Sequence, residues 1–174
     1  MSAGAAISAG PLPPFALLDR YNGGNGYTDC FVADIPGEFS HAEFVAAFYT
    51  TWLFRLERII LKWLVAKPST DDEARQLAQG ERDAFAAWTV EARAPNQLLM
   101  CDFLQNTRSW LMVERRAAGG VTRLYFGSAI VARAGTRSGR RRLGLRFRAL
   151  LGFHRRYSRA LLRAARARLT SGLA

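Results

Sequence analysis

The feature that most constrains the fold is a run of four segments in which apolar and polar residues alternate with period two. These segments are residues 85–93, 97–104, 108–116 and 121–133. Such alternation is typical of strands that bury one face. The connections are only a few residues long, which suits hairpins, whereas parallel strands need long crossovers. The sequence therefore predicts an antiparallel meander with one covered face.

One strand and two or three short helices are expected before the meander. Residues 27–35 alternate in the same way and form the fifth predicted strand. Ser40 with Glu43, and Thr70 with Glu73, have the spacing of a capping box, which marks the start of a helix.

The stretch between these two capping boxes has its own helical pattern. Apolar residues at helical spacing from Trp52 to Leu64 predict an amphipathic helix that ends near Pro68. Gly80 is a candidate C-cap for the helix that begins after Thr70.

The last long segment is predicted to be a single helix. Residues 143–169 give a helix of up to 27 residues, about 40 Å long. Its apolar stripe contains His154 and is expected to lie on the covered face of the meander. We therefore predict an α+β fold of the helix-grip type, in which a curved antiparallel sheet of about five strands packs around a long C-terminal helix.

The 174 residues are enough for one domain with a hydrophobic core. We expect a Pro- and Gly-rich irregular arm over residues 1–26, a single domain over 27–169 and a tail over 170–174. We find no pattern of a signal peptide or a membrane span. Two cysteines and two histidines exclude a disulfide framework and a structural zinc site, so we expect a cytoplasmic protein without metal or cofactor.

Charge is distributed very unevenly along the chain. The net charge is +11, but residues 115–174 contain sixteen arginines and no acid, whereas the preceding residues carry −5. This asymmetry suggests an anionic partner such as RNA or acidic lipid headgroups. The alternative is a solvated face, or one paired with acids of the same domain. On the predicted last helix, the outward-facing candidates for polyanion binding are Arg155, Arg156, Arg159, Arg163 and Arg166.

The aromatic content indicates either an ordinary core or a binding cavity. Ligand pockets are mostly apolar, with a few placed polar groups, and Trp supplies a large apolar body with one N–H donor. If the sheet and the last helix leave a gap, the residues expected to line it are Trp52, Trp88, Trp110, Tyr125, Phe147 and His154.

His154 is also the best candidate for acid–base chemistry. In the predicted helix it points towards the sheet, where Asp102 or Tyr125 is a candidate partner. The alternative is a structural histidine held by hydrogen bonds. His41, one residue after a predicted cap, is expected at the surface. The sequence contains no nucleophile elbow, so no catalytic residue is assigned beyond the candidates His154 and Asp102.

Three stretches carry a resemblance to a known group of proteins. Residues 108–113, 122–128 and 151–155 resemble a bacterial family of unknown function allied to the START-like, polyketide-cyclase-like (SRPBCC) superfamily. This resemblance implies a helix-grip fold that binds a hydrophobic small molecule or lipid between sheet and helix. It also implies that cyclase, hydrolase, quinone-carrying or ribosome-directed roles occur among relatives, and it transfers no catalytic motif.

Three functional hypotheses follow. The first is binding of an apolar or amphipathic small molecule between the meander and the last helix. The second is a cyclase- or hydrolase-type enzyme that uses His154 as acid or base. The third is a polyanion-binding module that uses the arginines of the last helix.

Overall fold

The computed structural model describes residues 6–23, 26–56, 69–116, 120–131 and 144–171, the last of these with side chains from Gly152 onward. The strands of these residues are β1 (Ser8–Ala9), β2 (Tyr27–Pro36), β3 (Ala84–Phe85), β4 (Trp88–Ala94), β5 (Gln97–Asp102), β6 (Thr107–Arg116) and β7 (Val121–Ile130). The helices with defined bounds are a 3₁₀ helix (Leu17–Tyr21), α1 (His41–Tyr49), α2 (Asp71–Gln79) and α3 (Gly144–Ser171).

All the strands form one antiparallel sheet in the order β1-β2-β7-β6-β5-β4-β3. The α+β class and the antiparallel meander are therefore confirmed. The predicted number of five strands is too low, because β1 and β3 have only two residues each and cannot show alternation. Ala86, at φ 52°, forms the turn that separates β3 from β4, and alanine gives no sequence signal for such a turn.

The structure confirms the capping residues that the sequence predicts for two helices. Ser40 and Glu43 form a reciprocal capping box at the start of α1, and Thr70 and Glu73 form another at the start of α2. Gly80 ends α2 with φ 83°, which is a left-handed conformation that glycine adopts without steric cost.

Two sequence predictions fall partly or wholly outside the described residues. The helix predicted from Trp52 is helical at 52–56, and the rest of it lies outside them. Residues 134–142, an arginine-rich stretch for which the sequence predicts a loop, also lie outside them. Within the described part of the chain, no helix is both long and apolar enough to cross a membrane.

One face of the sheet packs against α1 and α3. The strands contribute Phe31, Ile35, Leu98, Leu111, Leu124 and Phe126 to this core. α1 adds Phe44 and Phe48, and the C-terminal half of α3 adds Leu161, Leu162, Ala165 and Leu169. Because these side chains are buried and in mutual contact, the hydrophobic effect fixes α1 and α3 on this face. We call it the inner face.

The opposite, outer face is covered by the N-terminal arm. Its apolar strand residues are Cys30, Leu99, Trp110, Met112, Tyr125 and Ala129. Ala16 and Leu18 of the arm are buried against them. The sequence predicted an irregular segment here, and residues 6–23 instead form β1 and a 3₁₀ helix that pack on the sheet. The sheet is therefore covered on both faces rather than one.

Gln97 fastens the arm to the outer face. Its buried side-chain oxygen accepts hydrogen bonds from the backbone N–H of Leu17 at 2.8 Å and from the Trp110 indole N–H at 2.9 Å. Its amide nitrogen donates to the carbonyl of Phe15 at 3.2 Å. A second link between the arm and the sheet is the hydrogen bond that the Tyr21 hydroxyl donates to Glu91 of β4 at 2.6 Å. One buried amide thus satisfies polar groups of both the arm and the sheet.

We predict that Gln97→Leu loosens the arm. The substitution leaves the Trp110 indole N–H and the Leu17 N–H without their acceptor, which costs about 1–3 kcal/mol for each buried group. Limited trypsin digestion should then cleave after Arg20 faster than in the wild type, with a lower midpoint of urea unfolding. The exposed Gln79→Leu serves as the control, and equal cleavage rates for the two variants would contradict the assignment.

Gly127 of β7 marks the closest approach of the arm to the sheet. A Cβ at this position would lie 2.7 Å from Leu18 Cδ2, 2.9 Å from the carbonyl oxygen of Asp29 and 2.9 Å from Trp110 Cε3. These separations are shorter than van der Waals contact, and one of the atoms is backbone. Only glycine therefore allows β2, Trp110 and the arm to meet here.

We predict that Gly127→Ala destabilises the protein by about 1–3 kcal/mol, which is the usual cost of overpacking a core. Gly152→Ala in exposed helix is the matched control, because nothing lies within 4 Å of its added methyl group. That variant should gain up to about 1 kcal/mol from helix propensity. Free energies of unfolding from urea titration measure both, and a neutral Gly127→Ala would disprove the close contact.

Candidate functional site

The strand register arranges inner-face side chains in rows that run across the sheet. One row consists of Phe31, Phe126, Leu111 and Leu98, and it is apolar and buried. The neighbouring row, two residues along each strand, contains Asp29, Ser128 and Ser109, which face each other across β2, β7 and β6. We call these three residues the polar row. A buried apolar surface therefore becomes polar within one step along the strands.

Asp29 is held by several hydrogen-bond donors. Its Oδ1 accepts from the Ser128 hydroxyl at 2.6 Å and from the Ser128 backbone N–H at 3.2 Å. Its Oδ2 accepts from the Tyr27 hydroxyl at 3.1 Å. Burial, with the nearby Asp29 carboxylate as a second cause, raises the pKa of Tyr27 to about 12. Tyr27 therefore remains a neutral donor at physiological pH.

His154 of α3 meets the polar row at Ser128. Its Nε2 lies 2.6 Å from the Ser128 hydroxyl oxygen and 3.8 Å from Asp29 Oδ2. A carboxylate only accepts, so the single Ser128 hydroxyl proton points to Asp29, and the Ser128 oxygen accepts from His154 Nε2–H. In the neutral ring this leaves Nδ1 as a hydrogen-bond acceptor. The imidazole side chain is 28% exposed, which leaves it within reach of a solute.

The arrangement of Asp29, Ser128 and His154 differs from a catalytic triad. In a triad the carboxylate binds the imidazole nitrogen that is remote from the serine, and the serine proton points to the histidine. Here the carboxylate binds the serine itself and takes its proton. The cluster is thus a hydrogen-bond chain from His154 through Ser128 to Asp29, which fixes the orientation of the imidazole.

The partners predicted for His154 are both corrected. Asp102 Oδ1 accepts from the backbone N–H groups of Asn106 at 2.7 Å and Thr107 at 2.9 Å, so this carboxylate closes the β5–β6 turn. Tyr125 lies on the outer face, where its hydroxyl donates to Glu114 at 2.5 Å. The sequence could not place them because the register of the meander decides which residues reach α3.

The predicted ligand-lining residues do not form one group. Trp110 and Tyr125 are buried on the outer face under the arm, so the sheet separates them from His154. Trp88 is half-buried on the inner face, in register with Asp102, whereas Trp52 is 67% exposed. Phe147 belongs to the part of α3 whose side chains lie outside the described set. Of these residues, Trp88 lies on the sheet face that packs against α3, and His154 of α3 points to that face.

Sequence reasoning missed Asp29, Ser128, Ser109 and Tyr27. A usable signal existed, because Asp29 occupies the same phase of β2 as Phe31 and Ala33, which are core residues. Ser128 likewise shares its phase with Leu124 and Phe126. A polar residue on the apolar phase of a strand indicates either a defect in the pattern or a placed functional group.

The arginines predicted to bind polyanions lie on the solvent side of α3. Arg155, Arg156, Arg159 and Arg163 are exposed, and Arg166 is half-buried. Arg159 lies over the ring of Phe31, with its guanidinium carbon 5.3 Å from the ring centroid. The exposure of Arg155, Arg156 and Arg163 agrees with the predicted amphipathic helix, whereas the guanidinium of Arg159 also covers a core ring.

A second polar feature lies at the start of α1. His41 was expected at the surface, but its Nε2 is buried and has no hydrogen-bond partner among the described residues. Burial is the main cause that lowers the pKa of His41 to about 4. The residue forms part of an open groove of about 420 Å³ that also involves Phe39, Asn96 and Val113.

We predict that His41 contributes a pH dependence to stability. Its folded-state pKa of about 4 lies below the ordinary 6.5, so the unfolded chain binds the proton more tightly. Stability should therefore fall as pH drops from 6.5 to 4, by at most about 3 kcal/mol from this group at about 1.4 kcal/mol per pKa unit. Urea unfolding of His41→Leu should show a smaller loss between pH 7 and pH 4.5 than the wild type. Parallel pH profiles would contradict this role.

Comparison of the chain with protein-family models, curated proteins and solved structures finds no match. In the parts of the chain that the structure describes, no three His, Cys, Asp or Glu side chains are grouped so as to hold a metal ion.

Proposed function

We propose that the protein is a helix-grip protein that binds an amphipathic small molecule on the inner face of its sheet. The polar group of the ligand meets Ser109 and His154, and its apolar part extends over Met100 and Val90 towards Trp88. The single observation that supports this most is the polar row beside the apolar rows of this face.

The topology supports the helix-grip interpretation. β2 comes first among the long strands and pairs with β7, the last, while the meander extends the sheet from β7 to β3. Helices α1 and α2 occur between β2 and the meander, and α3 follows it and packs against β2 and α1. This order is the one expected of a sheet wrapped around a closing helix.

Packing restricts where a ligand can lie. The rows from Phe31 to Ile35 are filled by side chains of α1 and of the C-terminal half of α3. The polar row lies beyond them, towards the Tyr27 end of β2, where His154 approaches the sheet. A ligand on the inner face therefore has its place at this end rather than over the whole length of α3.

The polar row favours an amphipathic ligand over a purely apolar one. Burying a hydroxyl without a hydrogen bond costs about 1–3 kcal/mol. Asp29 and Ser128 satisfy each other, whereas the side chain of Ser109, a residue that is 8% exposed, forms no hydrogen bond with the described residues and is left to solvent or a ligand. A ligand with one polar group on an apolar body would satisfy Ser109 and the Nδ1 of His154 while covering Met100.

The proposal is tested by binding of a defined amphipathic probe, 11-(dansylamino)undecanoic acid, whose fluorescence rises in apolar surroundings. Titration of the full-length wild type should give saturable binding. Ser109→Leu should weaken it at least tenfold, because the larger side chain fills the polar row and removes its hydroxyl. Mass spectrometry of an organic extract of the natively purified protein should also reveal a co-purified amphipathic compound.

Thr89→Leu is the matched control for this experiment. Thr89 is exposed on the outer side of the sheet, in register with Cys101, so the same substitution there should leave probe affinity unchanged. Circular dichroism verifies that both variants are folded. An extract without any bound compound, together with probe binding that Ser109→Leu does not alter, would overturn the proposal.

A further inference from the structure

The solvent side of α3 concentrates positive charge on a narrow face. Five arginines, defined here as the arginine face, occupy twelve residues: Arg155, Arg156, Arg159, Arg163 and Arg166. At about 100° per residue they fall within an arc of about 100° on the helix. The residues on the opposite side of α3, such as Leu161 and Ala165, are buried in the core. The arginines are therefore held in one direction by a helix that the core fixes in place.

Two arginines of this face, Arg156 and Arg163, are not neutralised by any acid in the part of the chain that the structure describes. Arginines elsewhere form ion pairs, as Arg123 does with Asp34 and Arg108 with Glu91. Among the described residues, no carboxylate lies within 4 Å of the guanidinium of Arg156 or Arg163. Like charges three and four residues apart on a helix repel by a few tenths of a kcal/mol. An external anion would relieve this repulsion.

A stacked aromatic pair, of which Phe153 is exposed and Tyr157 partly buried, lies beside the arginine face. Phe153 is 68% exposed and stacks on Tyr157, with ring centroids 6.1 Å apart and an interplanar angle of 11°. Its high exposure leaves ring surface on which a nucleobase can stack. The exposure of Phe153 thus adds the aromatic platform that single-strand binders combine with basic residues.

We propose that the arginine face and Phe153 bind single-stranded nucleic acid, with phosphates on the arginines and a base on the ring. The surface from residue 153 to residue 166 is about 20 Å long at 1.5 Å per residue, which accommodates a short run of nucleotides. A membrane surface fits less well, because interfacial helices insert an apolar face into lipid, whereas that face of α3 is buried against the sheet. This inference does not depend on the proposed ligand site.

The test is fluorescence anisotropy of a fluorescein-labelled 20-nucleotide oligouridylate with the full-length protein at several salt concentrations. Arg156→Gln/Arg163→Gln should weaken binding at least tenfold. It should also reduce the slope of log K against log salt by about 1.4, because each phosphate contact on a single strand contributes about 0.7. Phe153→Ala should weaken binding at least about fivefold without changing the slope, because stacking releases no counterions.

Matched controls separate a local site from net charge. Arg75→Gln/Arg115→Gln also lowers the net charge by two, but these exposed arginines are paired with Asp72 and Glu38 away from α3. This double variant should keep the wild-type slope and lose less than threefold in affinity. Phe15→Ala removes a 94% exposed ring from the arm and should have no effect.

Two results would overturn the inference. One is an equal loss of oligouridylate affinity for both double arginine variants, which indicates only non-specific attraction. The other is absence of oligouridylate binding near physiological salt. If phosphatidylcholine–phosphatidylglycerol vesicles then bind the wild type and not Arg156→Gln/Arg163→Gln, the arginine face is a membrane surface instead.

Discussion

The pairing of β2 with β7 is the constraint on which the rest of the structure depends. Its register sets Asp29 opposite Ser128 and Phe31 opposite Phe126. A shift of one residue would turn the side chains of one strand to the opposite face relative to the other strand, because side chains alternate with period two. The same pairing joins the first long strand to the last, so it closes the chain into one sheet and brings the polar row together from segments about 100 residues apart.

This register is reinforced from both sides of the sheet. On the inner face, α1 and α3 bury apolar rows, and on the outer face the arm buries Trp110 and Met112. Gly127 lies at the closest contact between these elements, since Leu18, Trp110 and the β2 backbone occupy the space that a Cβ at this position would need. Another cross-strand contact, the bidentate pair of Arg123 with Asp34, uses the same register. The strand pairing is thus specified by sterics and hydrogen bonds together, rather than by apolar alternation alone.

Local patterns were sufficient for most of the fold, because they report interactions within a few residues. Both capping boxes, the left-handed Gly80, the long strands and α3 all carry such signals. The site was harder to predict because it depends on which strand faces which. Asp102 and Tyr125 were plausible partners of His154 by type, yet register assigns that position to Ser128 and Asp29. The cover of the outer face was missed because a Pro-rich arm has no periodicity from which packing can be inferred.

Both candidate surfaces include residues of α3, but these residues lie on different sides of the helix. His154 reaches the inner face, whereas Arg156 and Arg163 point to solvent on the other side of the helix. The charges of Arg156 and Arg163 are not among the contacts that fix α3, which are the apolar contacts of Leu161, Leu162 and Ala165, the His154–Ser128 hydrogen bond and the contact of Arg159 with Phe31. A helix held in this way tolerates a concentration of like charge that an isolated helix would not, because tertiary burial outweighs repulsion of a few tenths of a kcal/mol per pair. The positive face is thus a property that the core allows and does not require.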